Sequence, residues 1–134
     1  MYPIIIFYFD ASVLLAAPTK ADVVIIATGS EVSLAVKSAE ALNEKGISTQ
    51  VVSAPCLEWF NQESESYRES VIPKSALRVS IEAGIAQGWR EYVGDSGVII
   101  SLDHYGASAS ASQLFNEFGF TVDNVVAQVM AARK

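Results

Sequence analysis

Four polar residues have the chemistry for proton transfer if the fold brings them together. Ser30, Glu82, Asp103 and His104 each follow a short β-prone run, and ligands of open α/β sheets bind beyond the carboxyl ends of the strands. A histidine beside carboxylates can take up and release a proton near neutral pH. However, the chain has one histidine, and no residues around it have metal-ligand spacing. Since any α/β domain has polar residues at its strand ends, we favour a structural role for these four.

The stretch "DVVIIATGSEVSLAV", residues 22–36, has the strand–turn–helix order of many phosphate-binding loops. A dinucleotide-binding fingerprint needs three glycines, however, and a P-loop needs a lysine. This turn has Gly29 alone and no lysine. Glu31 would itself complement the positive end of the helix dipole and repel a phosphate. We therefore predict that Gly29 permits a tight turn and that Ser30 caps the helix.

Composition and charge argue against several classes of protein. The 134 residues are 51% hydrophobic and 18% charged, which is typical of one folded domain. The net charge is −6 and the nine Lys and Arg residues are scattered, so we expect neither nucleic acid nor an anionic membrane as a partner. The apolar N-terminal stretch lacks the positive flank of a signal peptide and is too short to span a bilayer. A single cysteine, Cys56, favours a cytoplasmic location and a non-catalytic thiol.

Alternating strand and helix patterns predict a three-layer α/β/α fold with a mostly parallel sheet. Continuous apolar runs predict buried strands, whereas apolar residues at a period near 3.6 predict amphipathic helices. Asn61 is the predicted N-cap of the second helix, which Pro73 terminates. The predicted strands cover residues 22–28, 47–54, 76–81 and 98–102, and the predicted helices cover 31–45, 62–71, 86–93, 110–118 and 122–132.

Three long strings carry a family resemblance. "ADVVIIATGSEVSLAVKSAEALNEKGISTQVVSAP", "RVSIEAGIAQGWREYVG" and "DHYGASASASQLFNEFGFTVDNVVAQV" occur in this order. Together they make residues 12–134 closely resemble the C-terminal domain of transketolases. This resemblance implies a mixed five-stranded sheet whose first strand, within Ser12–Ala17, runs antiparallel to the others. Residues 1–11 do not resemble the family, and we expect them to form an atypical apolar leader.

The resemblance also implies a parent reaction. Transketolases transfer a two-carbon ketol unit between sugar phosphates, using thiamine diphosphate and a magnesium ion. In the family, this cofactor is held by domains that precede the C-terminal one. We therefore assign no catalytic, cofactor-binding or metal-binding residue in this chain and expect it to be inactive alone. Its expected role is structural, as a homodimer and as a partner of the remaining transketolase domains.

Two alternatives remain open. One is a regulatory module that binds a small ligand or a nucleotide in a strand-end crevice formed by Gly29, Ser30, Glu82 and His104. The other is a separate interaction protein that joins catalytic subunits through its apolar leader, since a β-prone segment can pair with a partner's edge strand.

Overall fold

The computed structural model describes residues 11–29, 31–54, 57–82, 89–101 and 120–133. The predicted helix at 110–118, the leader at 1–10, Cys56 and residues 83–88 lie outside the described residues. In chain order, the elements are β1 (Ser12–Leu15), β2 (Val23–Ala27), α1 (Glu31–Glu44), β3 (Thr49–Ser53), α2 (Leu57–Phe60), α3 (Glu65–Val71), β4 (Leu77–Glu82), α4 (Arg90–Val93), β5 (Val98–Ser101) and α5 (Val122–Ala132).

The five strands form one mixed sheet in the order β1-β3-β2-β4-β5. Strand β1 is antiparallel to β3, and the other pairings are parallel. This confirms the expected mixed sheet with an antiparallel first strand. Because β2, β3, β4 and β5 run in one direction, their carboxyl ends meet at the same edge of the sheet, which we call the carboxyl edge.

Strand β2 lies at the centre of the sheet and all five of its residues are fully buried. Its side chains alternate between two apolar clusters. Val23 and Ile25 belong to the cluster that packs under α1 and α5. Val24 and Ile26 belong to the opposite cluster, which packs against α2, α3 and α4. A strand covered on both faces is apolar throughout, and the two clusters confirm the predicted three-layer arrangement.

Helix α1 begins and ends close to the predicted positions. Its buried stripe includes Ala35, Ala39 and Leu42, and Gly46 follows with a φ of 82°. The Ile47 N–H donates to the Leu42 carbonyl at 3.0 Å. Glycine after a helix accepts this left-handed conformation without a Cβ clash, and the turn then leads directly into β3.

The N-cap of α3 differs from the prediction. Ser64, and not Asn61, caps this helix, and its Oγ accepts a hydrogen bond from the Tyr67 N–H at 3.1 Å. Asn61 instead continues from α2, since its N–H donates to the Leu57 carbonyl at 2.9 Å. The prediction was wrong because α2 is a single turn whose end leaves no periodic pattern in the sequence.

Helix α5 spans the predicted residues, and Thr121 caps it by accepting the Asn124 N–H at 3.1 Å. Among the described aromatic residues, Phe60, Trp89 and Phe120 are buried, whereas Trp59 is 53% exposed. None of the helices in the described part of the chain has the length and hydropathy of a membrane span.

Because β2 is central and fully buried, we predict that shortening one of its side chains strongly lowers the stability of the fold. We expect Ile25→Ala to lower the free energy of unfolding by about 2–5 kcal/mol, because the surrounding core relaxes only partly around the lost atoms. Met130→Ala is the matched control, since Met130 is 44% exposed on α5 and a surface change costs about 0.5 kcal/mol or less. Urea denaturation measures both, and equal losses would contradict the central role of β2.

Candidate functional site

Two residues of the predicted crevice lie at the carboxyl edge. Gly29 follows β2, and Glu82 is the last residue of β4. Strands β2 and β4 are direct neighbours, with Ala27 opposite Ile81, so the fold brings Gly29 and Glu82 to adjacent strand ends. Ser30 and His104, like Asp103, lie outside the described residues, and their part in a crevice stays a prediction.

A hydrogen bond that the sequence did not reveal connects these strand ends. The Thr28 hydroxyl donates to Glu82 Oε2, across 54 positions of the chain, and both side chains are partly buried. Hydrogen bonds to an ionised group are stronger than those between neutral groups. In the sequence, a threonine ends one predicted strand and a glutamate follows another. The contact could not be predicted from this pattern, because it depends on which strands are neighbours in the sheet.

The conformation of Gly29 explains why glycine is present in this turn. Its φ is 57°, in the left-handed region that side chains with a Cβ avoid. A Cβ added at Gly29 would meet no described atom within 4 Å. The glycine is therefore required by the conformation of the turn between β2 and α1, in agreement with the prediction.

Glu31 opens α1 and is almost fully buried, with 3% of its surface exposed. Its N–H donates to the Thr28 carbonyl at 3.2 Å, and the next N–H, of Val32, donates to the Gly29 carbonyl at 3.3 Å. A carboxylate at this position complements the positive end of the helix dipole. The helix terminus, which is the usual place for a bound phosphate in this type of turn, thus already has an anion of the chain's own.

The charges at the carboxyl edge have one sign. Among its described residues, at 27–29, 31, 53–54, 82 and 101, two are glutamates and none is Lys or Arg. Throughout the described part of the chain, no three His, Cys, Asp or Glu residues cluster closely enough to hold a metal ion. A phosphate group at this edge would face two carboxylates without a described cation to balance it.

Comparison with known proteins identifies the family of this chain. A family model described as "Transketolase-like TK C-terminal domain" matches residues 11–121. The chain belongs to this family. The transketolase of Mycobacterium leprae is 53% identical over 107 residues, which cover 79% of this chain and 15% of that protein. The chloroplastic transketolase of Solanum tuberosum is 50% identical over 109 residues, which cover 81% of this chain and 15% of that protein.

The solved structures agree with the fold. Transketolase from Leishmania mexicana superposes with a TM-score of 0.81 at 38% identity, and the match covers 90% of this chain and 17% of that one. This transketolase C-terminal domain therefore spans a small part of the length of the relatives it matches, and the predicted resemblance and fold class are confirmed.

The charge of the carboxyl edge differs from the charge that the cofactor implied by the family would need. Thiamine diphosphate brings a diphosphate group, which needs cations or a coordinated metal ion to balance its charge. The described residues of this edge supply Glu31 and Glu82 and no Lys or Arg. In this transketolase C-terminal domain, these residues therefore do not fit the diphosphate group.

The contact between Thr28 and Glu82 leads to a stability prediction. We expect Thr28→Val to lower the free energy of unfolding by about 1.5–3 kcal/mol, because the partly buried carboxylate loses its hydroxyl donor. Thr28→Ser keeps the hydroxyl and should cost about 1 kcal/mol or less, the contribution of one methyl group. Urea denaturation at neutral pH compares the two variants. If Ser and Val are equally destabilising, the hydrogen bond does not stabilise this edge.

Proposed function

We propose that this chain is a structural C-terminal domain of a transketolase and performs no catalysis by itself. The parent enzyme in this proposal transfers a two-carbon ketol unit between sugar phosphates with thiamine diphosphate and magnesium. The observation that carries the proposal is the state of the carboxyl edge. There, the Thr28 hydroxyl is bound to Glu82 and the buried Glu31 begins α1, so the described polar side chains of this edge offer a ligand anion no cation.

The matched length supports the same role. The chain covers 15% of the Mycobacterium leprae transketolase. In the proposal, the groups that hold cofactor and substrate belong to the other domains, and the C-terminal domain packs against them. A domain with an apolar cluster of its own on each face of its sheet, as in this chain, is suited to such a supporting role.

Activity and cofactor binding of the purified chain test this proposal. We expect no ketol transfer above background and no change in the midpoint of thermal unfolding with thiamine diphosphate and magnesium. A ligand that binds only the folded state at a concentration 100 times its Kd would add about 2.7 kcal/mol of stability, which is a shift of several degrees. The transketolase of Mycobacterium leprae serves as the positive control in both assays. Turnover, or a shift that grows with cofactor concentration, would refute the proposal.

We also propose that the chain forms a homodimer through the exposed side of β1. This strand pairs with β3 at one edge of the sheet, and Val13 and Leu14 are 39% and 53% exposed. The register shifts by one residue between Val13 and Leu15, so Leu14 lies in a β-bulge. Bulges on edge strands oppose further strand pairing. The proposed contact is therefore burial of these apolar side chains and not an extension of the sheet.

A pair of matched substitutions tests the dimer. We expect light scattering to give the mass of a dimer for the whole chain and to show at least about a tenfold weaker association for Leu14→Lys, because a buried ammonium group would lack a partner. Met130→Lys is the control, since Met130 is 44% exposed on α5. A monomeric wild-type chain would refute the dimer. If a chain without residues 1–10 is monomeric and Leu14→Lys is not, the leader forms the contact instead.

Two further expectations stay predictions. A ligand in the crevice of Gly29, Ser30, Glu82 and His104 would depend on residues outside the described ones, and a thermal-shift screen with nucleotides and sugar phosphates would detect it. The cytoplasmic location is likewise open, since one relative at 50% identity is chloroplastic.

A further inference from the structure

A cavity of about 280 Å³ lies on the side of the sheet covered by α2, α3 and α4. Its wall includes Arg68 of α3, Lys74 of the following loop and Arg78 of β4. Arg78 is the second residue of β4, whereas Glu82 at the carboxyl edge is its last. The cavity is thus separate from the carboxyl edge, and an inference about it does not depend on the proposed function.

Arg78 is held in place by the chain itself. Its Nη1 donates to the Tyr92 carbonyl at 3.0 Å. A Cβ added at Gly94 would lie 2.7 Å from Arg78 Nη2, and Gly94 has a φ of 77°, so this glycine leaves room for the guanidinium. Among the described residues, the buried Nε has no hydrogen-bond partner. A buried donor of a charged group that lacks an acceptor destabilises the folded chain. Since buried polar groups are normally hydrogen-bonded, the guanidinium is a candidate for binding a further acceptor.

The charges around the cavity are arranged by depth. Arg68 and Arg78 are half-buried, whereas the other charged residues of the wall, which are Glu65, Glu69, Lys74 and Glu91, are exposed. Exposed charges are screened by water and salt more strongly than partly buried ones. The cavity therefore has a positive floor and a rim that is acidic on balance, with three glutamates and one lysine.

The positive charges of Arg68 and Arg78 are not balanced by described carboxylates of the chain. Arg68 Nε donates to the Glu63 carbonyl at 3.1 Å, and Arg78 likewise donates to a backbone carbonyl. In the part of the chain that the structure describes, neither guanidinium forms an ion pair with a carboxylate. Arginine presents several N–H donors in a planar fork that matches phosphate and carboxylate oxygens.

Tyr92 adds a neutral hydroxyl to the wall. Burial raises the pKa of the Tyr92 phenol above its ordinary value, and the nearby Glu91 and Glu58 also raise it, while a hydrogen bond with Asn61 lowers it. The phenol is therefore protonated at neutral pH. Tyr92 and Asn61 can both exchange hydrogen bonds with a polar ligand without adding charge.

We propose that this cavity binds a small molecule that has a phosphate or carboxylate group at one end and hydroxyl or ammonium groups at the other. The oxyanion lies on Arg68 and Arg78, with Lys74 adding positive charge. The hydrogen-bond donors of the ligand face the carboxylates of the rim. Such a ligand complements both the floor and the rim, whereas a bare anion complements the floor alone.

Isothermal titration of the whole chain with three probes at constant ionic strength tests the site. Inorganic phosphate supplies the oxyanion alone, glycerol 3-phosphate adds hydroxyl groups, and glycolate replaces the phosphate by a carboxylate. We expect saturable binding of glycerol 3-phosphate with a Kd of about 1 mM or below, and weaker binding of inorganic phosphate. The relative affinities of glycolate and glycerol 3-phosphate identify which oxyanion the floor prefers.

Charge-removing variants locate the binding. We expect Arg68→Gln and Arg78→Gln to weaken binding of glycerol 3-phosphate by about tenfold or more, because each removes a charged hydrogen bond. Arg68→Gln keeps the test decisive if Arg78→Gln does not fold, and thermal unfolding checks both variants. Lys37→Gln is the control, since Lys37 is exposed on α1, on the other side of the sheet. Glu91→Gln should strengthen binding of inorganic phosphate and reduce the advantage of glycerol 3-phosphate.

Three results would overturn the proposal. One is the absence of saturable binding of all three probes up to about 10 mM, a concentration well above the expected Kd. Another is an equal loss of affinity for Lys37→Gln and Arg68→Gln, which would indicate binding to the overall charge. The third is equal affinity for inorganic phosphate and glycerol 3-phosphate, because the acidic rim would then have no part in recognition.

Discussion

Complete burial of β2 is the constraint on which the rest of the structure depends. Its five residues are covered on both faces, and its backbone pairs with β3 on one side and β4 on the other. Because apolar burial is the largest favourable contribution to folding, the chain must supply a helix layer for each face. Helices α1 and α5 cover one face and α2, α3 and α4 cover the other.

The geometry of the carboxyl edge follows from this central strand. The chain leaves β2 at Thr28 beside Glu82, because β4 is the parallel neighbour of β2. It then turns at Gly29 and begins α1 at Glu31. The same short connection that could hold a phosphate in another protein here carries Thr28, which is bound to Glu82, and the buried Glu31. Function at this edge is decided by side chains and not by the strand–turn–helix order, which many unrelated sites share.

The two faces of the sheet differ in the polar residues that β4 contributes to them. The face under α1 and α5 receives Val79 and Ile81 from β4. The opposite face receives Arg78 and Ser80, and both have a buried side-chain atom without a partner. Buried polar groups are normally satisfied. Of the three such atoms in the described part of the chain, Arg78 Nε and Ser80 Oγ lie on this face and Ser38 Oγ lies on α1. Arg78 also lines the cavity, which makes this side of the domain a candidate binding surface.

The sequence by itself determined most of the described elements and their buried faces, because these depend on local periodicity, but it did not predict the single turn of α2. The apolar run before Thr28 and the stripe that contains Val125 and Val129 predicted β2 and α5 closely. The family resemblance added the antiparallel direction of β1, which no local pattern contains. The N-cap at Ser64 was missed because the end of α2 has no periodic signal. Only the tertiary structure decided that Thr28 meets Glu82 and that Arg78 lies against Tyr92 and Gly94. These contacts require the order of the strands and the packing of α4, which residues far apart in the chain establish together.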